Sequence, residues 1–325
     1  NSVQLEQLIT TRKNYSTDLI KSVNIIFNED APSISNCGNA ISPYIWDNTE
    51  SITIIFTSGS NAKPKPVKIS ILNFIASYQN WNNEINFTYN DTILNILPLH
   101  HIAGFSLIIR GLISNCPVIL QDKFVLELFI STLNTLKLTI VSLVPTMIYK
   151  LLENDEGIEC LQSFRMILVG GGPASSALLE KCLNNNINIF ITYGMTETCS
   201  GVSGFWIKNY PNKINSVGKP FKNLSLSTIK KNDQYSQICI SGDNVAKGYW
   251  NEPSFNSEFI SGDLGKYDSD GFLYLKPHRS NRIITGGENV NPIEIEELIL
   301  KYPNISECCV VEFEDQRWGE QIIAV

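Results

Sequence analysis

Four short stretches carry residue types suited to chemistry on phosphates and carboxylates. The first, Thr57-Ser58-Gly59-Ser60-Asn61-Ala62-Lys63-Pro64-Lys65-Pro66, follows an apolar run and combines hydroxyls, a flexible backbone and two lysines. Backbone N–H groups and ammonium charges turned on one anion make a phosphate cradle. The stretch is not a Walker A loop, because the second glycine of G-x-x-x-x-G-K-[ST] is missing. A solvated loop between a strand and a helix has the same composition, so both readings stand at this level. The second stretch is Gly170-Gly171-Gly172-Pro173-Ala174 after the apolar Met166 to Val169. Consecutive glycines at the end of a strand let a flat ligand approach the backbone, and they also make a tight turn before a helix that begins at proline. The third, Tyr193-Gly194-Met195-Thr196-Glu197-Thr198, places an aromatic ring for a base, a hydroxyl for phosphate and a carboxylate for Mg²⁺ within a few positions. In the fourth, Ser261-Gly262-Asp263, the carboxylate is either a ribose-hydroxyl acceptor or a turn residue.

These stretches need strands that end where they begin. An apolar strand signal opens at Ser51 to Phe56 and predicts a core strand. Helical stretches near 70–83, 104–114, 125–135, 145–154 and 174–184 then alternate with strands at 92–97, 117–121, 138–143, 165–169 and 187–192. That alternation predicts an α/β fold with a parallel sheet covered by helices. From about 205 short strands separated by turns, Gln237 to Ser241 and Gly271 to Leu275 among them, predict a small β subdomain. Beyond Asn281 an α/β signal returns, with a helix over 293–300 and a strand over 308–312, and Val325 follows too soon for this unit to complete a sheet. No internal repeat of 20–50 residues is visible.

Composition narrows the classes. The 325 residues, 43% hydrophobic and 18% charged, describe a folding chain large enough for about two domains. A formal charge of −7 argues against nucleic acid as a partner, because affinity for a phosphate backbone comes from clustered cations. The eight cysteines form no CxxC pair and read as small buried hydrophobes in a reducing compartment. The three histidines, His100, His101 and His278, have no zinc-site spacing with them. The longest apolar stretch, Phe105 to Ile113, is broken by Arg110 and falls far short of the ~20 residues of a membrane span. The expectation is a soluble, intracellular protein. The frequent Ile and Asn are compositional bias of the kind an A/T-rich plastid or low-GC bacterial genome produces.

Taken in order and spacing, the motifs resemble the adenylate-forming superfamily of acyl-CoA synthetases, nonribosomal adenylation domains and luciferases, over about 52–325. Within it, Pro98-Leu-His-His101-Ile-Ala-Gly104, Ile167 to Ala174, Tyr193 to Thr198 and Thr285-Gly-Gly-Glu-Asn-Val290 are most similar to a CoA ligase of menaquinone or phylloquinone biosynthesis that acts on an aromatic carboxylate. The resemblance implies the adenylate-forming fold, with a parallel-sheet core, a small β subdomain and the start of a mobile α/β C-terminal domain. It divides the chain into a large ATP- and acyl-binding domain, 1–279, whose β subdomain is about 205–279, and a truncated lid from 280 to 325. It implies ATP, Mg²⁺ and coenzyme A, acyl-adenylate formation followed by thioesterification, no membrane span, and a location in the cytoplasm or plastid stroma. A homo-oligomer is compatible with it.

Carried over position by position, Thr57, Ser58, Gly59, Ser60, Lys63 and Lys65 would cradle the β and γ phosphates. Gly170, Gly171, Gly172, Ala174, Tyr193, Gly194 and Met195 would hold the adenine. Thr196 would bind the α-phosphate, Glu197 the Mg²⁺ and Asp263 the ribose, while His101 would lie near the reacting carboxylate. The departures are Ala62 and Pro66, where the family has glycines, and His278, where it has a ribose-binding arginine. The family's late lysine is expected to fall beyond Val325, and about a hundred residues of the family's usual N-terminal subdomain are expected to be missing.

Overall fold

The computed structural model describes residues 7–10, 24–27, 51–57, 64–172, 174–229, 235–276, 283–290, 292–299, 302, 305, 308 and 310–325. Ser58, Gly59, Ser60, Lys63 and His278 lie outside the described residues. The chain divides into two units, 1–47 and 48–325. In the first, β1 (Gln7–Thr10) and β2 (Asn24–Phe27) pair in parallel.

The second unit is built on a seven-stranded sheet. Its elements in chain order are β3 (Ser51–Thr57), β4 (Lys65–Ser70), α1 (Ile71–Ile85), β5 (Ile93–Asn95), α2 (Ile102–Ser114), β6 (Val118–Leu120), α3 (Leu126–Thr135), β7 (Ile140–Leu143), α4 (Pro145–Leu151), α5 (Asp155–Ser163), β8 (Met166–Val169), α6 (Ser176–Asn184), β9 (Ile189–Met195), β10 (Ser200–Trp206) and β11 (Lys219–Pro220). The spatial order β11-β10-β9-β8-β7-β5-β6 is parallel from β6 to β9, and β10 and β11 return antiparallel. The sheet is therefore mixed at the edge nearest β9. Glycines and serines in β10 hide that strand in the sequence, whereas β8, buried along its length, is the continuous apolar run of a strand covered on both faces.

Alternation along β9 shows both faces. Ile189 and Ile191 enter one cluster with Phe129, Leu161 and Phe164, while Phe190 between them packs with Trp81 and Phe221. The topology places Arg165, just before β8, against the turn before β5. Its guanidinium donates to both carboxylate oxygens of Asp91, each at 2.6 Å, and Asp91 also accepts from Thr88 N–H and the Thr139 hydroxyl, each at 2.8 Å.

Three expectations are corrected. Ser51 to Phe56 does form a strand, but β3 pairs antiparallel with β4 in a separate three-stranded sheet rather than joining the parallel core. The Lys-Pro-Lys-Pro run that reads as loop enters β4, which runs between β3 and β14 (Gly248–Tyr249). The β subdomain is the antiparallel sheet β12 (Ser225–Ile229), β13 (Ser236–Ser241), β15 (Glu258–Tyr267) and β16 (Leu273–Leu275). The terminal unit, expected to stop short of a sheet, forms one of four antiparallel strands. These are β17 (Ile283–Thr285), β18 (Glu288–Val290), β19 (Val310–Asp315) and β20 (Gly319–Ala324), with α7 (Pro292–Ile299) between β18 and β19. The β19/β20 hairpin closes it, a pairing that short-range patterning around 308–312 does not reveal. Among the described residues no helix is long and apolar enough to cross a membrane.

Gly104 shows why the Pro98 to Gly104 motif has its spacing. A Cβ there would lie 2.4 Å from the Pro98 carbonyl oxygen and 2.7 Å from that of Leu97, so only glycine lets the first turn of α2 close on the loop that carries His101. Gly104→Ala is expected to cost about 2 kcal/mol through this backbone clash, read as a lower midpoint in urea unfolding. An unchanged midpoint would show that the loop relaxes freely.

Candidate functional site

Neighbouring parallel strands deliver the second and third motifs to one place. Val169 is in register with Ile191, so the Gly170 to Gly172 loop leaves β8 beside Tyr193, at the carboxyl ends where open α/β sheets bind ligands. After β9 the chain turns through Thr196 to Thr198 and reverses into β10, with Cys199 and Ser200 in left-handed conformations at φ 52° and 97°. The turn is fixed from inside. The Thr198 hydroxyl donates to the Ser200 carbonyl at 2.9 Å and accepts from Met195 N–H at 3.2 Å. It is also fixed from the strand-to-strand connection before β14, where Asn244 donates to the Thr198 carbonyl and Ala246 N–H to the Glu197 carbonyl, each at 2.8 Å.

Two tyrosines define the carboxylates. The Tyr193 hydroxyl donates to Asp263 Oδ2 at 2.7 Å, and Asp263 N–H donates to the Ser261 hydroxyl at 3.2 Å. Tyr193 is buried, and burial together with the Asp263 charge pushes its phenol well up, so it stays a donor at neutral pH. The third and fourth motifs are thus brought into one network. The Tyr249 hydroxyl donates to Glu197 Oε1, also at 2.7 Å. Of the first motif, Thr57 and Lys65 are described. The Lys65 N–H approaches the Thr57 hydroxyl at 3.4 Å across the start of the β3/β4 ladder, and its ammonium lies 4.8 Å from the centre of the Tyr249 ring.

His101 caps the start of α2 without donating or accepting a side-chain capping bond, its ring 4.3 Å from that of His100. Burial and then His100 pull its pKa down, with Glu288 opposing, so the imidazole is neutral at pH 7. The terminal sheet reaches the same end of the core. A Cβ on Gly172 would lie 3.4 Å from Ile284 and 3.6 Å from Gly287, and Gly287, at φ 86°, abuts Val144. The Thr146 hydroxyl approaches the Gly286 carbonyl at 3.4 Å, and Arg317 faces Glu153 at 3.5 Å.

Two residues escape the sequence reading. Tyr249 sits in an unremarkable Gly-Tyr-Trp stretch of a two-residue strand, with no local signal. Arg110 is visible only as the residue that interrupts an apolar helix. It is 3% exposed, donates to the Ser200 hydroxyl at 2.8 Å, stacks 4.4 Å from the Trp81 ring centre and leaves Nε without a hydrogen-bond partner. Burial draws its pKa down to about 9, which leaves it a cation at pH 7. Among the described residues no acidic side chain forms an ion pair with it.

Among the described residues no cluster of three His, Cys, Asp or Glu is arranged to hold a metal. Glu197 with the Thr196 hydroxyl offers hard oxygen donors. That set suits Mg²⁺ held by one protein carboxylate together with a nucleotide's phosphates and water, and not a cation caged by protein alone.

The strand-end glycine loop, the Thr196 to Thr198 turn and the hydrogen-bonded Tyr193–Asp263 pair meet at the carboxyl ends of the parallel strands. The profile of the family described as AMP-binding enzyme matches residues 4–250, and the chain belongs to that family. Among its relatives, the 2-succinylbenzoate–CoA ligase of Bacillus velezensis is 36% identical over 282 residues, covering 83% of this chain and 58% of the relative. The chain thus spans a little over half the length of the curated relatives it matches. The o-succinylbenzoate CoA synthetase of Bacillus subtilis, solved as a double mutant with the product analogue OSB-NCoA, superposes with a TM-score of 0.83 at 32% identity, over 98% of this chain and 67% of that one. The same enzyme with ATP and magnesium ion superposes at 0.75 with 32% identity, over 98% and 68%. The fold is that of the adenylate-forming enzymes.

Proposed function

We propose that this protein is a 2-succinylbenzoate–CoA ligase. In the first half-reaction a carboxylate oxygen attacks the α-phosphorus of ATP, forming the acyl-adenylate and releasing pyrophosphate. In the second, the CoA sulfur attacks the acyl carbon, AMP leaves, and the thiol proton passes to the medium or a nearby base. A carboxylate is a poor acyl donor to a thiol at neutral pH, and the mixed anhydride supplies the leaving group that it lacks. The product would feed menaquinone or phylloquinone synthesis in a cytoplasm or plastid stroma.

The observation that carries this reading is the convergence of the Gly170 to Gly172 loop, the Tyr193–Asp263 pair and the Glu197 turn at one end of the parallel strands. In it, Thr57 and Lys65, with Ser58, Gly59, Ser60 and Lys63, hold the β and γ phosphates. Gly170, Gly171, Gly172, Ala174, Gly194 and Met195 border the adenine, and Tyr193 fixes Asp263 toward the ribose, with His278 as its second contact. Thr196 takes the α-phosphate. Glu197 takes Mg²⁺, which when bound offsets phosphate charge. His101, neutral at pH 7, offers the acyl carboxylate a ring without a competing cation. Residues 1–279 form the nucleotide- and acyl-binding domain, and the unit from 280 is the lid. Its docking against Val144 and Gly172 accords with the higher superposition score on the CoA-product complex.

The test is pyrophosphate release with ATP, Mg²⁺ and a panel of acids. The expected result is a specificity for 2-succinylbenzoate over benzoate of at least about tenfold, the equivalent of about 1.4 kcal/mol in the transition state. Release without that preference would assign the protein to other acyl- or aryl-CoA ligases. Tight ATP binding without release would make it a noncatalytic relative.

A further inference from the structure

We propose that Tyr249 is a positioning residue that holds the metal-facing carboxylate of Glu197 and ties it to the strand leaving the phosphate loop. The inference rests on the reading of Glu197 given above.

Three observations on different elements meet at this side chain. Its hydroxyl is 2.7 Å from Glu197 Oε1. Its ring lies under the Lys65 ammonium and meets Phe255 edge-on, with centroids 5.0 Å apart at 89°. Its backbone belongs to β14, which is laddered onto β4 through Gly248 opposite Lys68 and Tyr249 opposite Val67, with Trp250 N–H donating to the Pro66 carbonyl at 2.8 Å. The Glu197 main chain is held from the same segment by Ala246 N–H. One segment, 246–250, therefore grips Glu197 at both backbone and side chain, and grips the exit of the phosphate loop as well.

The chemistry follows from donor counting. A carboxylate has two oxygens with about four lone-pair sites, and a free glutamate samples several rotamers. With Oε1 occupied by the Tyr249 hydroxyl at 2.7 Å, the carboxylate is held in one orientation and Oε2 is left to a cation. Preorganising a ligand oxygen in this way is how outer contacts raise metal affinity. The Lys65 ammonium, 4.8 Å from the centre of the same ring, ties the lysine of the phosphate strand and the Glu197 carboxylate to one side chain, as a phosphate chain bridging them requires. Tyr249 would touch neither metal nor nucleotide.

The experiment measures ATP affinity by calorimetry on the full chain, once with Mg²⁺ and once with EDTA, for wild type, Tyr249→Phe, Glu197→Gln and the double variant. Phenylalanine keeps the ring under Lys65 and against Phe255 and removes only the hydroxyl. The expected result is that Tyr249→Phe weakens binding about tenfold with Mg²⁺ and leaves binding in EDTA unchanged, with the thermal midpoint close to wild type. In the Glu197→Gln background the same change should have no further effect on the Mg²⁺-dependent part, since the two side chains act as one unit. Equal weakening with and without Mg²⁺, or full additivity of the two substitutions, would overturn the proposal and make Tyr249 a packing residue. Unchanged binding in Tyr249→Phe would overturn it too. Wild type that binds no ATP under either condition would instead overturn the functional reading on which it rests.

Discussion

Glu197→Gln is expected to reduce ATP-dependent pyrophosphate release by a factor of 10² or more, while shifting global stability by about 1 kcal/mol or less. The substitution keeps the shape and leaves an amide oxygen able to accept from the Tyr249 hydroxyl, so the Thr196 to Thr198 turn and its backbone bonds to Ala246 and Asn244 persist. What disappears is a full negative charge at a half-buried position. A preorganised charge at a reacting phosphate site is typically worth ~3 kcal/mol, and that converts to about two powers of ten in rate. Rapid-quench measurement of acyl-adenylate and pyrophosphate, beside a thermal melt, separates the two effects. Wild-type release by a folded Glu197→Gln protein would remove this carboxylate from the metal site.

Asp91→Ala is expected to lower stability by about 3 kcal/mol without touching the site. Asp91 is 2% exposed and accepts from Arg165, Thr88 and Thr139, so its loss leaves several donors in the interior edge of the sheet unpaired. The same group gives a pH signature. Burial alone would push its carboxyl up, but the Arg165 bonds, the Thr88 N–H and the Thr139 hydroxyl outweigh burial and hold it at about 2. Because the folded value lies below the unfolded one, the stabilisation is complete above about pH 4 and is lost as pH falls toward 2. The Arg165 side chain is 37% exposed, so solvent screening reduces the contribution to about 1–2 kcal/mol. Urea unfolding across pH 2–5 should show a decline in wild type that is absent from Asp91→Ala. Parallel curves would assign acid sensitivity to other carboxylates.

The parallel core was legible because strands buried on both faces are written largely as apolar runs, and the candidate site residues follow directly at their ends. Gly170 to Gly172 after Met166–Val169 and Glu197 after Ile189–Met195 are found in this way. Cross-sheet partnership was not legible. Nothing near Tyr249 announces that its hydroxyl meets Glu197, 52 positions earlier, and nothing near Arg110 announces Ser200, 90 positions later. β4 was hidden because its prolines and lysines carry loop statistics, and its strand identity comes from β3 and β14 on either side. The helix α5 was passed over because it is short and half polar. Its start is set by Asn154, which caps Gly157 N–H at 2.8 Å and is legible only as a cap once a helix is known to follow.

The bond pattern around α1 bears on how the chain comes to be folded. Asn73, inside the capping box that starts this helix, donates to the Asp243 and Val245 carbonyls, 170 and 172 positions away, and β4 finds its second neighbour only in β14. Contacts of such separation form late, because the loop they close must be ordered first. During synthesis the central strand of the three-stranded sheet therefore emerges with one edge open, and it stays open until the Gly248–Tyr249 segment has left the ribosome. The β5 to β9 core, built from neighbours in sequence, is able to condense before then. Closure of the three-stranded sheet thus follows that of the core, and a chain arrested before residue 248 would present a consolidated parallel sheet with an unpaired β4 edge, the species on which holding chaperones act.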